Sequence, residues 1–171
     1  MGERNTFRGL VFGLDPSLRG TGMAIVKRDD KGSRLVFSET IKLPPKLSFY
    51  DCLGHIHSRV ASLADRYQPD VVAVEAAIYA QNYQTAIILG AARGAGLAAL
   101  AQRGLPIFEY APLRIKQSIV GYGRAKKEQV AATLQSLLPA FESGSLDETD
   151  AAAVALCHIL THREIQTNQP G

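Results

Sequence analysis

Up to Leu43 the apolar positions come in short runs and alternations rather than at helical spacing. Gly9 to Asp15 reads as a short apolar strand and Thr21 to Lys27 as a second, separated by the turn Pro16-Ser17-Leu18-Arg19-Gly20. In Arg34 to Leu43 the apolar Leu35, Phe37 and Ile41 roughly alternate with polar residues, which predicts a third strand. Three consecutive strands with short turns predict an antiparallel meander. After Pro44-Pro45 the period changes. Phe49, Leu53, Ile56, Val60, Leu63, Ala64 and Tyr67 recur at helical spacing, and Gln68-Pro69-Asp70 stops that helix. Val71 to Val74 is wholly apolar, as in a buried parallel strand. A long helix follows from Asn82 to Gln102, closed by Gly104, and then a short strand from Pro106 to Tyr110. Pro112–Val120 and Lys126–Leu138 read as helices joined by Gly121-Tyr122-Gly123, and a last helix runs from about Ser145 to Arg163. Ser145 with Glu148 fits a capping box. The order βββ-α-β-α-β-α-α-α predicts an α/β fold: a five-stranded mixed sheet, its first three strands an antiparallel meander, flanked by helices.

Length and composition narrow this further. At 171 residues, 46% hydrophobic and 20% charged, the chain is expected to be one domain over residues 1–171, with an ordered core from about 8 to 163 and a polar tail from 164 to 171. The longest apolar stretch, Thr85 to Ala101, is interrupted by Arg93 and by Gly90, Gly94 and Gly96, so no membrane partner is expected. The polar N-terminus is too short for a signal peptide. Cys52 and Cys157 form no spacing motif and are expected to be buried, reduced thiols of a cytoplasmic protein.

The net charge of +3 says little; its distribution says more. Between Leu113 and Val130 lie Arg114, Lys116, Arg124, Lys126 and Lys127 against one acid, Glu128. Soon after, Glu142, Asp147, Glu148 and Asp150 follow with no basic residue among them. Two further acids end apolar strands. Asp15 follows Val11-Phe12-Gly13-Leu14, where an acid lines a sheet edge, although Asp before Pro is equally a turn former. Glu75 follows Val71-Val72-Ala73-Val74, where a site role competes with an ordinary solvated strand end. Asp147 and Asp150 share a helix face at i and i+3; the macrodipole alone would favour acids there, and Glu148 serves the cap. Four converging carboxylates repel one another unless hard divalent cations bind them. Mg²⁺ takes such oxygen ligands, and two ions can hold the attacking and leaving oxygens of a phosphodiester. Lys116 and Lys127 would then hold the phosphate backbone beside the metals.

These segments together resemble the RuvC family of Holliday junction resolvases, within the ribonuclease H-like superfamily. The carrying residues are Gly13-Leu14-Asp15-Pro16-Ser17-Leu18-Arg19-Gly20-Thr21-Gly22, Val74-Glu75, Leu89-Gly90-Ala91-Ala92-Arg93-Gly94-Ala95, Glu109-Tyr110-Ala111-Pro112 and Val120-Gly121-Tyr122-Gly123-Arg124-Ala125. Lys127 with Gln129-Val130 and the run Asp147-Glu148-Thr149-Asp150 through His158 complete the match, from about residue 9 to 163. The resemblance implies a ribonuclease H-like fold and metal-binding carboxylates at Asp15, Glu75, Asp147 and Asp150, with Asp147 a direct ligand or a supporting group. It implies DNA contacts from Lys116 and Lys127, with Lys127 stabilising charge on the scissile phosphate and Arg124 nearby. Relatives carry an aromatic wedge three residues after the glutamate; here Ile78 stands there with Tyr79 next, and either serves as the wedge.

The implied activity is resolution of four-way DNA junctions in recombination and repair. Each subunit of a homodimer nicks one strand with a metal-activated water, leaving 5′-phosphate and 3′-hydroxyl ends. Two Mg²⁺ per subunit are implied, with Mn²⁺ a substitute, and so are work beside the RuvA–RuvB branch-migration complex and a place at the bacterial nucleoid. The small-residue segment Gly90 to Gly96 fits both close packing on the sheet and a subunit contact. Other readings are a nuclease of the same superfamily acting on structured RNA, a non-catalytic junction-binding module, and a small actin-like ATPase. The ATPase would need two such lobes. His158 and His162, at i and i+4, lack the companions of a zinc motif and read as helix-end histidines.

Overall fold

The computed structural model describes residues 6–77, 82–139, 141 and 144–162. Strands β1 (Gly9–Asp15), β2 (Gly20–Asp29) and β3 (Gly32–Lys42) form the antiparallel meander. Helix α1 (Phe49–Tyr67), strand β4 (Val71–Glu75), helix α2 (Tyr83–Ala101) and strand β5 (Ile107–Tyr110) follow. Helices α3 (Pro112–Val120), α4 (Lys127–Leu137) and α5 (Leu146–Thr161) complete the order. The sheet runs β3-β2-β1-β4-β5, and β4 lies parallel to both β1 and β5. The element order and the mixed sheet are those expected. β2 and β3 exceed their expected spans because pairing continues from Gly20–Lys42 out to Asp29–Gly32. Polar residues near that tip gain ladder bonds and an ion pair between Arg34 and Asp29, so their polarity does not end the strands.

The two-residue period of the strands sorts side chains onto two faces. Phe12, Leu14, Met23, Ile25, Val72 and Val74 pack with Ile56, Val60, Ala92, Ala99 and Leu100 of α1 and α2. Val11, Ala24, Val26 and Ala73 pack with α3, α4 and the α5 residues Ala151 to Cys157. Asp15 is four residues beyond Val11, and Glu75 two beyond Ala73. Both therefore belong to the α5 face, at the carboxyl ends of neighbouring strands.

α5 is seated unusually close to that face. A Cβ on Gly13 would collide with the Ala151 carbonyl, and one on Gly22 with the Asp147 carbonyl. Gly22 is the register partner of Asp15, so this seat lays the first turn of α5 directly over the acid at the end of β1. Ser145 caps α5 by accepting the Glu148 amide at 3.2 Å. The expected reciprocal arm of a capping box is replaced: the Glu148 carboxylate accepts hydrogen bonds from the hydroxyls of Ser38 on β3 (2.7 Å) and Ser145 (3.3 Å). At the other end, His158 is not a charged helix terminus. It is fully buried, bonded through Nδ1 to the Tyr110 hydroxyl at 2.7 Å and stacked on His162. Burial, with His162 adding to it, pushes its pKa down to about 4, so it is a neutral core residue at physiological pH.

α2 behaves differently along its length. By length and composition it would pass as a membrane span, against the expectation from Arg93 and the glycines. Its packing assigns it to the fold: Ala92, Gly96, Ala99 and Leu100 are buried on α1 and the sheet. Its first two turns are bare, leaving Tyr83, Ile87, Ile88 and Leu89 exposed. Cys52 and Cys157 are buried and unpaired, as expected.

The seat of α5 makes a prediction with opposite signs at two glycines. Gly22→Ala should lower the unfolding free energy by about 1–3 kcal/mol or more, because backbone must move. Gly54→Ala, in the exposed interior of α1 with open space around its Cβ, should raise it by about 0.5–1 kcal/mol. Urea unfolding of both variants decides; an unchanged Gly22→Ala would show that the close seat is not real.

Candidate metal centre

The β1 and β4 register ends at Leu14–Val74, so the next residues, Asp15 and Glu75, stand side by side where the two parallel strands finish. The turn after Asp15 is closed by Thr21, whose hydroxyl donates to the Ser17 carbonyl at 2.5 Å and accepts from the Ser17 amide at 3.2 Å. Arg19 ties that turn to the segment before α1, donating to the Pro44 carbonyl (2.5 Å) and the Leu47 carbonyl (3.0 Å). Asp15 is thereby fixed on both sides. From above, α5 delivers Asp147 and Asp150 from one helix face.

Asp15, Glu75 and Asp150 line a cavity of about 250 Å³. Lys116 of α3 and Lys127 of α4 line the same cavity, and Pro112, Ile115, Val130 and Leu146 supply apolar lining. Lys127 Nζ lies 3.8 Å from Asp150 Oδ2. Asp147 is not on the cavity wall. Its Oδ2 lies towards Gly20, 3.1 Å from where a Cβ of that residue would sit, and its charge still acts on Asp15 and Asp150. Arg124 is exposed in the turn between α3 and α4 and does not line the cavity. Ile78 and Tyr79 lie outside the described residues.

The electrostatics are those of a site short of positive charge. Burial first, and then the charges of Asp150, Asp147 and Glu75, push Asp15 up to about 7, against the pull of Lys127. Burial and Asp150 raise Glu75, while Lys127, Lys116 and Arg93 oppose them. Burial also raises Asp150, and Lys127 is the chief opposing charge there. The donor set is hard oxygen, with no thiolate or imidazole lining the cavity among the described residues, which fits Mg²⁺-like cations better than zinc. Among the described residues no three His, Cys, Asp or Glu side chains form a cage that could hold a metal ion. Such a cage is not required for Mg²⁺, which is held by one or two carboxylates and keeps several waters. Sequence reasoning assigned no role to two residues that shape the site, Arg19 and Arg93, although both lie in the segments that carry the family resemblance. The contacts of Arg93 could not be read locally, since its partners are a carbonyl and an acid brought near only by the fold.

The shifted carboxylate sets a pH dependence. Between 3.8, the ordinary value, and about 7, folded Asp15 holds a proton that the unfolded chain has lost. Metal-free stability therefore falls as pH rises through that window, and the whole penalty is present above it. Asp15→Asn should stabilise the metal-free protein at pH 8 by roughly 2–4 kcal/mol. The gain should shrink towards pH 4, as measured by urea unfolding in a chelator. An equal effect at both pH values would remove Asp15 from a buried acidic cluster.

The chain matches the family model described as crossover junction endodeoxyribonuclease RuvC over residues 11–158. It is 45% identical over 148 residues to the crossover junction endodeoxyribonuclease RuvC of Halorhodospira halophila, covering 86% of this chain and 88% of that one. It is 42% identical over 159 residues to that of Solidesulfovibrio magneticus, covering 93% and 94%. Among solved structures it resembles T. thermophilus RuvC in complex with a Holliday junction substrate, with a TM-score of 0.83, 33% identity, and coverage of 90% and 94%. The yeast mitochondrial Holliday junction resolvase Ydc2, at 12% identity and a TM-score of 0.63, shares the fold. With its ribonuclease H-like sheet, its acids at two strand ends and this match along most of its length, the chain belongs to the RuvC family of crossover junction endodeoxyribonucleases.

Proposed function

We propose that this protein resolves four-way DNA junctions by metal-dependent nicking, with Asp15, Glu75 and Asp150 as the direct metal ligands and Asp147 as a ligand or supporting group. The observation that carries this reading is one cavity lined both by three acids, from β1, β4 and α5, and by Lys116 and Lys127. Acidic and basic groups in one cavity suit a metal-bound phosphodiester, whose negative oxygens need both. The relatives' shared activity and the junction-bound T. thermophilus structure support four-way DNA as the substrate. Divalent cations, two per subunit and either Mg²⁺ or Mn²⁺, supply water activation and charge neutralisation when bound.

The chain's own residues divide the remaining work. Lys127 stands closest to the acids and faces the scissile phosphate, where its charge favours the transition state. Lys116, half-buried on α3, positions the backbone. Arg124, exposed on the adjoining turn, extends the basic surface towards the DNA arms. Either Ile78 or Tyr79, three and four residues after Glu75 in sequence, would serve as the base wedge. The bare apolar turns of α2, with open space above Gly90 and Gly94, suit a homodimer contact, and two-fold symmetry then gives paired cuts. Work with the RuvA–RuvB motor at the bacterial nucleoid belongs to the same reading.

A synthetic four-way junction with Mg²⁺ tests it. Wild type should leave symmetric nicks with ligatable ends, and Asp15→Asn should cut at least about 100-fold more slowly while still binding. Cleavage of structured RNA in preference, or tight junction binding with no cutting in either Mg²⁺ or Mn²⁺, would sink the reading in favour of a different nuclease or a binding module.

The lysines give a separate expectation. Lys116→Ala and Lys127→Ala should each flatten the salt dependence of junction binding, lowering its logarithmic slope by about 1. Titrations at several salt concentrations read this directly, and an unaltered slope would turn the two lysines away from the phosphates.

A further inference from the structure

We propose that Arg93 is a positioning residue that bridges α2, β4 and β5 and so holds Glu75 in the orientation needed to bind metal; this rests on the reading of Glu75 as a ligand. Arg93 Nη1 donates to the Glu75 main-chain carbonyl at 2.6 Å, and Nη2 donates to Glu109 Oε1 at 2.8 Å. The Arg93 side chain is 16% exposed, whereas Glu109 is 54% exposed. The ion pair with Glu109 is thus worth little by itself, and its use is to hold the guanidinium plane.

The position explains why such a tie is needed. Glu75 is the last residue of β4, and pairing with β1 has already stopped at Val74. Past it, the Ala76 amide still bonds to the Tyr110 carbonyl at 2.8 Å, on the β5 side. The Arg93 bond engages the Glu75 peptide from α2. α2 itself is well anchored there, with Ala92 buried and Gly96 so near Leu14 that an added Cβ would sit 3.1 Å from its Cδ2. Arg93 therefore transmits the fixed position of α2 to the backbone that carries the carboxylate. The guanidinium reaches the two acceptors from two different nitrogens held in one plane, a geometry that the three N–H bonds on the single nitrogen of an ammonium do not reproduce.

The test titrates Mn²⁺ alone into metal-free protein by calorimetry and measures junction cleavage and binding beside it. Arg93→Ala should lose roughly 10–100-fold in Mn²⁺ affinity, with kcat falling at saturating junction. Junction affinity in chelator should stay within about twofold. Arg93→Lys should fall short of wild type in both readouts, and it decides the matter if Arg93→Ala does not fold. Wild-type Mn²⁺ affinity in Arg93→Ala, or an Arg93→Lys protein indistinguishable from wild type, would overturn the bridge. Glu75→Gln runs alongside. If it is inactive while the Arg93 variants behave as wild type, only the bridge fails; if it binds Mn²⁺ and cuts as wild type does, the metal-site reading fails and takes the bridge with it.

Discussion

The approach of α5 to the sheet is the constraint on which the site depends. Asp15 is fixed by β1, and Asp147 and Asp150 by α5. Nothing in either element brings the two sets together except the distance between helix and strand. That distance is set by what is missing from Gly13 and Gly22: with no Cβ there, the carbonyls of Ala151 and Asp147 rest directly on the strands. The run Ala151-Ala152-Ala153 continues the same logic on the helix side, where each residue is buried and none is large enough to push α5 outward. A larger side chain at any of these places would leave the fold intact in outline and still separate the acids.

Close packing then creates an electrostatic problem that the protein does not solve alone. Asp15, Glu75 and Asp150 are all held above their ordinary pKa values, chiefly by burial and then by one another. Lys127 opposes this but is 68% exposed and 3.8 Å from its nearest carboxylate oxygen, too wet and too distant to neutralise the group. Stability is given up at the site so that a cation of high charge density is attracted to it. A stronger internal ion pair would make a better-folded domain and a weaker metal site.

Much of this was legible in the chain. Apolar runs ending in Asp15 and Glu75 marked two strand ends, and strand parity carries both acids to one face once α5 is known to cover it. The spacing of Asp147 and Asp150 was equally readable, and the resemblance already set Asp147 apart as a ligand or supporting group, but the physical cause of their different placement was not readable. Asp147 leans to Gly20 while Asp150 enters the cavity, and that depends on the glycine seat, which no periodicity reveals. His158 read as a helix-end charge because its sequence neighbours say nothing of Phe7, Phe108 and Tyr110, which enclose it from distant segments. Glu148 read as half of a capping box because Ser38, its actual partner, comes from a strand 110 residues away in sequence. Arg93 was seen as part of a small-residue helix and of a segment that carries the family resemblance, with no role of its own. In each case the missing information was a long-range contact, whereas local period and the placement of two acids at strand ends were read correctly.

The acidic and basic residues of the cavity also differ in how they are carried. The acids project from central elements: β1 and β4 are interior strands of the sheet, and α5 is buried along most of its length. The lysines project from two short helices that touch the core through little more than Ile115, Ile119, Val130 and Leu134. Those helices are joined at Gly121, whose φ of +91° suits glycine and ends α3 abruptly. Metal coordination tolerates small errors badly, so its ligands belong on the central elements. A phosphate backbone needs charge more than a fixed coordination geometry, so the exposed Lys127 and the half-buried Lys116 can stand on short helices outside the sheet. The division of charge in the cavity is therefore also a division between central and peripheral elements, and both follow from which elements the sheet buries.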